Sequence, residues 1–315
     1  MQFTRLKRFS NNLTEELKTI LNSLNFKCIF NPSYQLYENK HYISFRGNSK
    51  LFKYKRGNRI IRVIEDTTKA FLIILDNKFN IIAIKNLSNI YLELYGIEKV
   101  QDGKLYVIKD KLFISFNTGW DTKGNDIYLA EVNDDFPIPK KCILAGRMRM
   151  EKNWSFFSAN NGLFAIYCLN PLIIIEAFLI ESDKIHFKKS DPYVNGDPIK
   201  NLSIGSNLVL HNNDYFLAAH EKLFFNGKRI YFGKIFRLSL SNGNLIIKKI
   251  YPTRFIHSFK SLLGRRTKSN QNLISCSYIS GLFLDEVNNK LILSYGINDL
   301  NFSFSAIDLN FFDEN

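Results

Sequence analysis

The sequence predicts an all-β chain, a five-bladed β-propeller preceded by one short helix, and three observations carry that expectation. Phe and Tyr are abundant at 28 and 15, while Met and Trp number only 3 and 2, a balance that favours strands over helices. After about residue 25, short apolar runs are separated by NG, DG, DN, NN and GN pairs, the residues that hairpin turns require. One pattern also recurs five times: a polar turn, three apolar or aromatic residues, a small or aromatic residue, then a polar or reactive end.

The elements follow in order. Residues 1–25 form a helical extension: Ser10 or Asn12 can cap it, and Leu13, Leu17, Ile20, Leu21 and Leu24 recur at helical spacing. Residues 26–315 form the propeller domain. Its recurring segments are ENKHYISFR (38–46), KDKLFISFN (109–117), NNGLFAIYC (160–168), NNDYFLAAH (212–220) and NNKLILSYG (288–296). Aligned on Tyr42, Phe113, Phe164, Phe216 and Ile292, they are 71, 51, 52 and 76 residues apart. About 63 residues per unit suffices for four strands of about six residues with their turns. A small antiparallel sheet of that size cannot bury both faces alone; radial stacking about an axis buries them. The competing β-sandwich has to treat five matching hairpins as coincidence.

Composition bounds the function. Hydrophobic residues at 45% and charged residues at 23% describe a globular chain. With 43 Lys and Arg against 29 Asp and Glu, the net charge is +14. This favours an anionic partner (a phosphate, a nucleic acid or an acidic membrane surface) without choosing among them. Cys28, Cys142, Cys168 and Cys276 lie far apart with no CxxC pair, so neither a cysteine zinc site nor a disulfide framework is expected. No two histidines have metal-ligand spacing. No metal and no cofactor are expected. His41, His186, His211 and His257 are read as surface or turn residues.

The basic N-terminal stretch has no apolar core of signal-peptide length behind it. The most apolar run, PLIIIEAFLI at 171–180, is too short to span a bilayer and carries Glu176. A cytoplasmic protein is expected. There is no Gly-rich phosphate loop, no GxGxxG and no GxSxG. The basic run Gly264-Arg265-Arg266-Thr267-Lys268 is read as a solvated loop.

In a propeller the starts of the innermost strands converge on one mouth of the central channel. About ten residues before each repeated strand stands a polar cluster: Asn31-Pro32-Ser33, Gln101-Asp102-Gly103-Lys104, Glu151-Lys152-Asn153-Trp154, Ser203-Ile204-Gly205-Ser206 and Ser277-Tyr278-Ile279-Ser280-Gly281. Asp102 is either a placed carboxylate or half of a turn. On an alternating strand Arg147 and Arg149 would share a face and, with Lys152, cradle a phosphate, unless Glu151 pairs with a neighbour and mutes them.

The ordered set NPS…YISFR, QDGKLYVIKDKLFISFN, GRMRMEKNW, SIGSNLVLHNNDYFLAAH with YFGKIFRL, and LILSYGINDLNFSFSAIDL resembles the five-bladed propellers of glycoside hydrolase family 130. Those are mannoside phosphorylases and hydrolases, with related β-mannosyltransferases on the same fold. The resemblance runs from about residue 30 to residue 310. It places Asp102 on the family's catalytic acid, within a Glu-Asp-Pro-Arg segment whose other members are here Gln101, Gly103 and Lys104. It places Lys152, with Arg147, Arg149 and His220, among phosphate-binding residues, and Asp299 on a carboxylate that binds sugar hydroxyls. By the repeat, Asn31, Arg46, Asn153 and Asn170 lie near the same mouth as substrate-binding residues.

The resemblance implies a carbohydrate-active enzyme that moves a mannose-like glycosyl unit, with a phosphate or nucleoside diphosphate at the basic cluster. The replaced Glu-Asp-Pro-Arg segment favours a glycosyltransferase of cell-surface glycan biosynthesis. The alternatives are a glycoside phosphorylase of mannosides and a non-catalytic glycan-binding propeller. Expected partners are a sugar phosphate or nucleotide-sugar donor and a glycan acceptor, with no nucleic acid and no transmembrane segment. The charge leaves peripheral membrane contact open, and nothing in the sequence sets the oligomeric state.

Overall fold

In the computed structural model the described residues are 2–48, 51–56, 59–64, 68–119, 124–133, 136, 138–149, 151–190, 201–241, 244–263 and 272–313, with the backbone alone at 51–56 and 59–64. The basic run at 264–268 lies outside them. The strands form five antiparallel units in chain order. The first blade comprises Cys28–Tyr37, Lys40–Asn48, Lys69–Leu75 and Ile81–Asn86; the second Gln101–Ile108, Lys111–Asn117, Ile127–Glu131 and Lys140–Leu144. The third comprises Ser155–Ala159, Gly162–Leu169, Leu172–Ile180 and Lys184–Lys189; the fourth Leu202–His211, Asp214–Phe225, Lys228–Ser241 and Asn244–Ile250. The fifth comprises Leu273–Asp285, Lys290–Ile297 and Asn301–Asp308. The first strand of each blade contacts the first strands of its neighbours around the ring, so these are the innermost strands. The fold is the expected all-β propeller.

The turn chemistry explains the phase of the repeat. In four blades the two residues joining the first and second strands both have positive φ: Glu38-Asn39, Lys109-Asp110, Asn160-Asn161 and Asn212-Asn213. That conformation matches the twist of the flanking strands, and Asn and Asp adopt it at little cost. Two inter-blade pairings are parallel. Cys142 of the second blade pairs with Ile185 of the third, and Tyr231 of the fourth pairs with Cys276 of the fifth.

The N-terminal segment closes the ring. Phe3–Arg5 pairs in parallel with Arg254–Ile256, and the carbonyls of Leu6 and Phe9 accept from Ser305 Oγ and Ala306 N on the fifth blade's last strand. Helix α1 (Asn12–Ser23) begins at Asn11, whose side chain accepts from Thr14 N in a capping box. Its Leu17, Ile20 and Leu21 share one buried cluster with Ile29, Tyr34 and Ile43 of the first blade and Ile292, Phe304 and Ala306 of the fifth. The helix is therefore a wedge between the first and last blades, held by the same core. Leu21→Ala is expected to destabilise the whole chain by about 2–5 kcal/mol, read as a lower urea midpoint; an unchanged midpoint would show that the helix is not part of the cooperative unit.

Two histidines expected at the surface are buried. His41 bonds to Tyr34 Oη at 2.9 Å and stacks on Phe79, and His257 sits beside Tyr295 Oη at 3.2 Å. Tyr34 of the adjoining strand and Phe79 of a turn flank the His41 ring, and Tyr295 of the fifth blade flanks that of His257. Among the described residues no helix is long and apolar enough to cross a membrane.

Candidate functional site

Four innermost strands break register at the same level. The ladder skips Asn31-Pro32 between Phe30 and Ser33, Asp102-Gly103 between Gln101 and Lys104, residues 205–207 between Ile204 and Leu208, and Ser280 between Ile279 and Gly281. In the third blade the strand starts only at Ser155, just after Asn153. Asn31, Asp102 and Asn153 have φ of 50°, 52° and 67°. Asn31, Asp102 and Asn153 leave the strand alternation and turn toward the channel, whereas Ser206, Asn207 and Ser280 bond to neighbouring strands. Four of the five polar clusters of the sequence fall on these breaks, and the third-blade cluster falls just before its strand.

They open into a cavity of about 560 Å³ lined in part by Asn31, Arg46, Asp102, Lys152, Asn153 and Asp299, and on its far side by Lys222, Arg229, Tyr231 and Tyr278. Asp102 is at its floor. One carboxylate oxygen accepts from Asn31 Nδ2 at 3.1 Å and from Arg46 Nη1 at 3.2 Å, and the other lies 3.8 Å from Lys152 Nζ. Asn153 Nδ2 donates to Tyr278 Oη at 2.7 Å, joining the third blade to the fifth. Arg46 also lies over the Phe30 ring, 4.8 Å from its centroid.

The two carboxylates of the cavity titrate in opposite directions. Burial alone would raise the Asp102 pKa, but Arg46, Lys152, the Asn31 hydrogen bond and Lys104 together hold it well below the usual carboxylate range. Asp299 is partly exposed to the cavity yet deep among protein atoms; burial pushes its pKa up, opposed by Arg46 and reinforced by the negative charge of Asp102. Lys104 is fully buried behind Asp102, its Nζ has no hydrogen-bond partner, and burial brings its pKa down to about 7 against the pull of Asp102. Paired carboxylates pushed apart in this way are the usual arrangement for acid–base work.

Several expected site residues are placed elsewhere. Residues 145–149 and 151–154 are turn and loop, not an alternating strand. Arg147 and Arg149 line a separate depression with Asn125, Asp126 and Lys141, and Arg149 is exposed there. Glu151 is the physical cause: buried, it holds Arg147 Nε at 3.9 Å and Trp154 Nε1 at 3.2 Å, and accepts from Met148 N and Tyr167 Oη. Of that basic cluster, Lys152 alone reaches Asp102.

His220 is also corrected. It is fully buried and donates from Nε2 to Ile279 O at 3.0 Å, its ring stacked on Tyr278 at 3.9 Å. Burial and the nearby Lys104 lower its pKa to about 3, so it is a neutral spacer behind Tyr278, not an anion donor at the mouth. Asn170 occupies the turn between the second and third strands of the third blade, on the mouth side, but it does not line the cavity.

Tyr278, Tyr231, Lys222 and Arg229 are lining residues to which the sequence assigned no role. Tyr278 stood inside a recognised cluster. Lys222 and Arg229 flank the Asn226-Gly227 turn, a hairpin signal whose reach over the mouth only the register of the fourth blade reveals.

Gly296 fixes the Asn31–Asp102 contact. A Cβ there would collide with Asn31 Oδ1 and crowd Asn31 N at 3.1 Å. Gly296→Ala is expected to displace Asn31 and cost about tenfold or more in turnover with a modest loss of stability. Steady-state kinetics beside a melting curve would test this, and unchanged kinetics would remove Asn31 from the site.

No protein-family model matches the chain, and no curated protein sequence does. Solved structures do. The β-1,2-mannobiose phosphorylase from Listeria innocua, in complex with β-1,2-mannobiose, superposes with a TM-score of 0.58 at 10% identity, covering 92% of each chain. A structure described with the family-130 mannoside phosphorylases and hydrolases that target β-1,2-mannosidic linkages in Candida mannan gives 0.57 at 13% identity, over 90% of this chain and 85% of that one. A glycosyl hydrolase from Bacteroides ovatus gives 0.57 at 14% identity over the same shares. This chain has the fold of the family-130 propellers, as its motifs led one to expect.

Proposed function

We propose that the protein is a carbohydrate-active enzyme that transfers a mannose-like glycosyl unit from a phosphate-activated donor to a glycan hydroxyl, with the cavity over Asp102 and Asp299 as its site. The observation that carries this reading is the setting of the Asp102 carboxylate, which accepts from Asn31 Nδ2 at 3.1 Å and Arg46 Nη1 at 3.2 Å and lies 3.8 Å from Lys152 Nζ. A carboxylate held so far below its usual pKa carries no proton at neutral pH, whereas hydrolysis or phosphorolysis of a glycoside needs one delivered to the leaving oxygen. Transfer from a sugar phosphate makes the opposite demand. The acceptor hydroxyl must lose a proton, and the leaving phosphate takes its electron pair without needing one.

In that direction Asp102 receives the acceptor's proton, directly or through a sugar hydroxyl, while the acceptor oxygen bonds to the anomeric carbon. The bond from that carbon to the phosphate oxygen breaks, and Lys152 and Arg229 stabilise the charge that develops there. Asp299 accepts hydrogen bonds from sugar hydroxyls. Arg46 and Asn31 keep Asp102 in place and ionised. A role in biosynthesis of a surface glycan follows from this direction of transfer.

The test is a mass-spectrometric screen pairing sugar phosphates and nucleotide sugars with simple glycosides. Product from a phosphate-activated donor is expected. Cleavage of free mannosides, with no product from any activated donor, would contradict the reading.

A further inference from the structure

The second and third strands of the fourth blade are its longest, at 12 and 14 residues. The innermost strand pairs only as far as Leu202 with Glu221. Beyond that point Lys222–Phe225 and Lys228–Tyr231 pair with each other and project over the mouth as a two-stranded arm closed by Asn226-Gly227, both at positive φ. Arg229 N also donates to Asn272 O at 2.7 Å, and Tyr231 pairs with Cys276, which anchors the arm to the fifth blade.

Side chains directly opposite in an antiparallel pair share a face, and that face repeats every second residue. Lys222 is opposite Tyr231 and Phe224 is opposite Arg229, so these four form one side of the arm. Lys222, Arg229 and Tyr231 line the cavity; that side therefore faces the site, and Phe224 and Arg229 are its outermost pair. Lys222 Nζ sits over the Phe224 ring at 5.4 Å, and Phe224 is 59% exposed. The arm's one carboxylate, Glu221, is held by Arg254 through two hydrogen bonds of 2.7 and 2.6 Å. Among the described residues no carboxylate forms an ion pair with Lys222 or Arg229. Moving outward from Asp102 and Asp299, the surface offers a pocket for a hydroxyl-rich ring, then Lys222 beside Tyr231, then Arg229 beside the aromatic face of Phe224.

We propose that this side of the arm is a nucleoside-diphosphate subsite, with the diphosphate on Lys222 and Arg229 and the base stacked on Phe224. The assignment rests on the reading of the cavity as a phosphate-activated transfer site and names the donor as a nucleotide sugar. Arg and Lys suit a diphosphate, and an aromatic side chain stacks on any base. Phe225, on the opposite side of the arm, serves as the control.

The test is calorimetric titration of the full chain with GDP, UDP and inorganic pyrophosphate. The wild type is expected to bind at least one nucleoside diphosphate. Phe224→Ala should weaken it roughly 10-fold, the scale of one base–aromatic stack, while leaving pyrophosphate binding within twofold. Phe225→Ala should change neither, and Arg229→Ala should weaken both. Absence of nucleotide binding would overturn the proposal, as would equal losses in the Phe224 and Phe225 variants. So would a Phe224→Ala defect confined to binding of phosphatidylserine vesicles, which would make the tip a membrane contact. Transfer from a simple sugar 1-phosphate without nucleotide binding would overturn the subsite and leave the proposed reaction standing.

Discussion

Asp102→Asn is expected to lower the transfer rate by about 100-fold or more, the usual scale of a general acid–base contribution, while leaving donor binding within a fewfold. Asparagine keeps the shape and can still meet Asn31 and Arg46, but it cannot take a proton. The same change leaves Arg46, Lys152 and Lys104 facing one another without their anion, so a loss of stability must be measured beside the kinetics. The sign of its pH dependence is fixed. A carboxylate with a lowered folded pKa contributes stability that is fully present above its unfolded value, near 4, and fades as pH falls through the folded value. The stability difference between wild type and Asp102→Asn should therefore shrink on acidification below about pH 4. A gap that instead widens there would mean that Asp102 is not the ionised member of the cavity.

The second large effect concerns Lys104→Met, which should make the protein more stable and less active. The Lys104 ammonium is buried with no hydrogen-bond partner, so replacing it with an apolar side chain of similar length orphans no bonded group. Because Arg46, Lys152 and Asn31 still compensate Asp102, removing an unsatisfied buried donor is expected to gain about 1–3 kcal/mol. With a folded pKa of about 7 against an unfolded value of about 10.4, the lysine is charged in both states below pH 7, where its cost is fully present. Between pH 7 and 10 the folded protein sheds the proton and the cost falls away. The stabilisation should thus be largest at pH 6 and nearly gone by pH 10, measured by urea denaturation. Activity should drop because the Asp102 carboxylate loses the cation behind it and is less firmly placed, although Arg46, Lys152 and Asn31 still keep it ionised. A variant less stable than wild type at pH 6 would mean that the Lys104 charge is well satisfied, and the strain assigned to it would be withdrawn. A lysine retained at such a cost is the pattern expected of a functional site.

Much of this was legible in the chain. The Asn-rich pairs before the repeated strands were readable as hairpins because a two-residue turn with positive φ at both positions selects few residues. The polar clusters ten residues upstream were readable as a mouth because a propeller places equivalent positions on one ring. Asp102, Asn31, Arg46, Asn153, Lys152 and Asp299 meet in one cavity for that reason. The failures share a different physics. Strand alternation assigns Arg147 and Arg149 to a segment that Glu151 folds into a loop through its own hydrogen bonds; that Glu151 could pair with a neighbour is readable in the sequence, but its burial is not. His220 fills the end of its repeat as predicted, yet Tyr278 from another blade covers it, a contact 58 residues away in the chain. The arm that carries Lys222 and Arg229 depends on how far two strands pair beyond their blade, and that distance is a property of register, not composition.

The acid limb of the pH–rate profile for glycosyl transfer tests the central claim most directly, because it reports the protonation state of Asp102 in the working enzyme. The account predicts a rate that holds level from pH 8 down to pH 5, since a base with so low a pKa stays ionised throughout, and that Asp102→Asn depresses over the same range without changing its shape. An acid limb with its midpoint near pH 6, abolished by Asp102→Asn, would contradict it, showing that Asp102 works from an ordinary or raised pKa and that the cations around it do not hold it as a base.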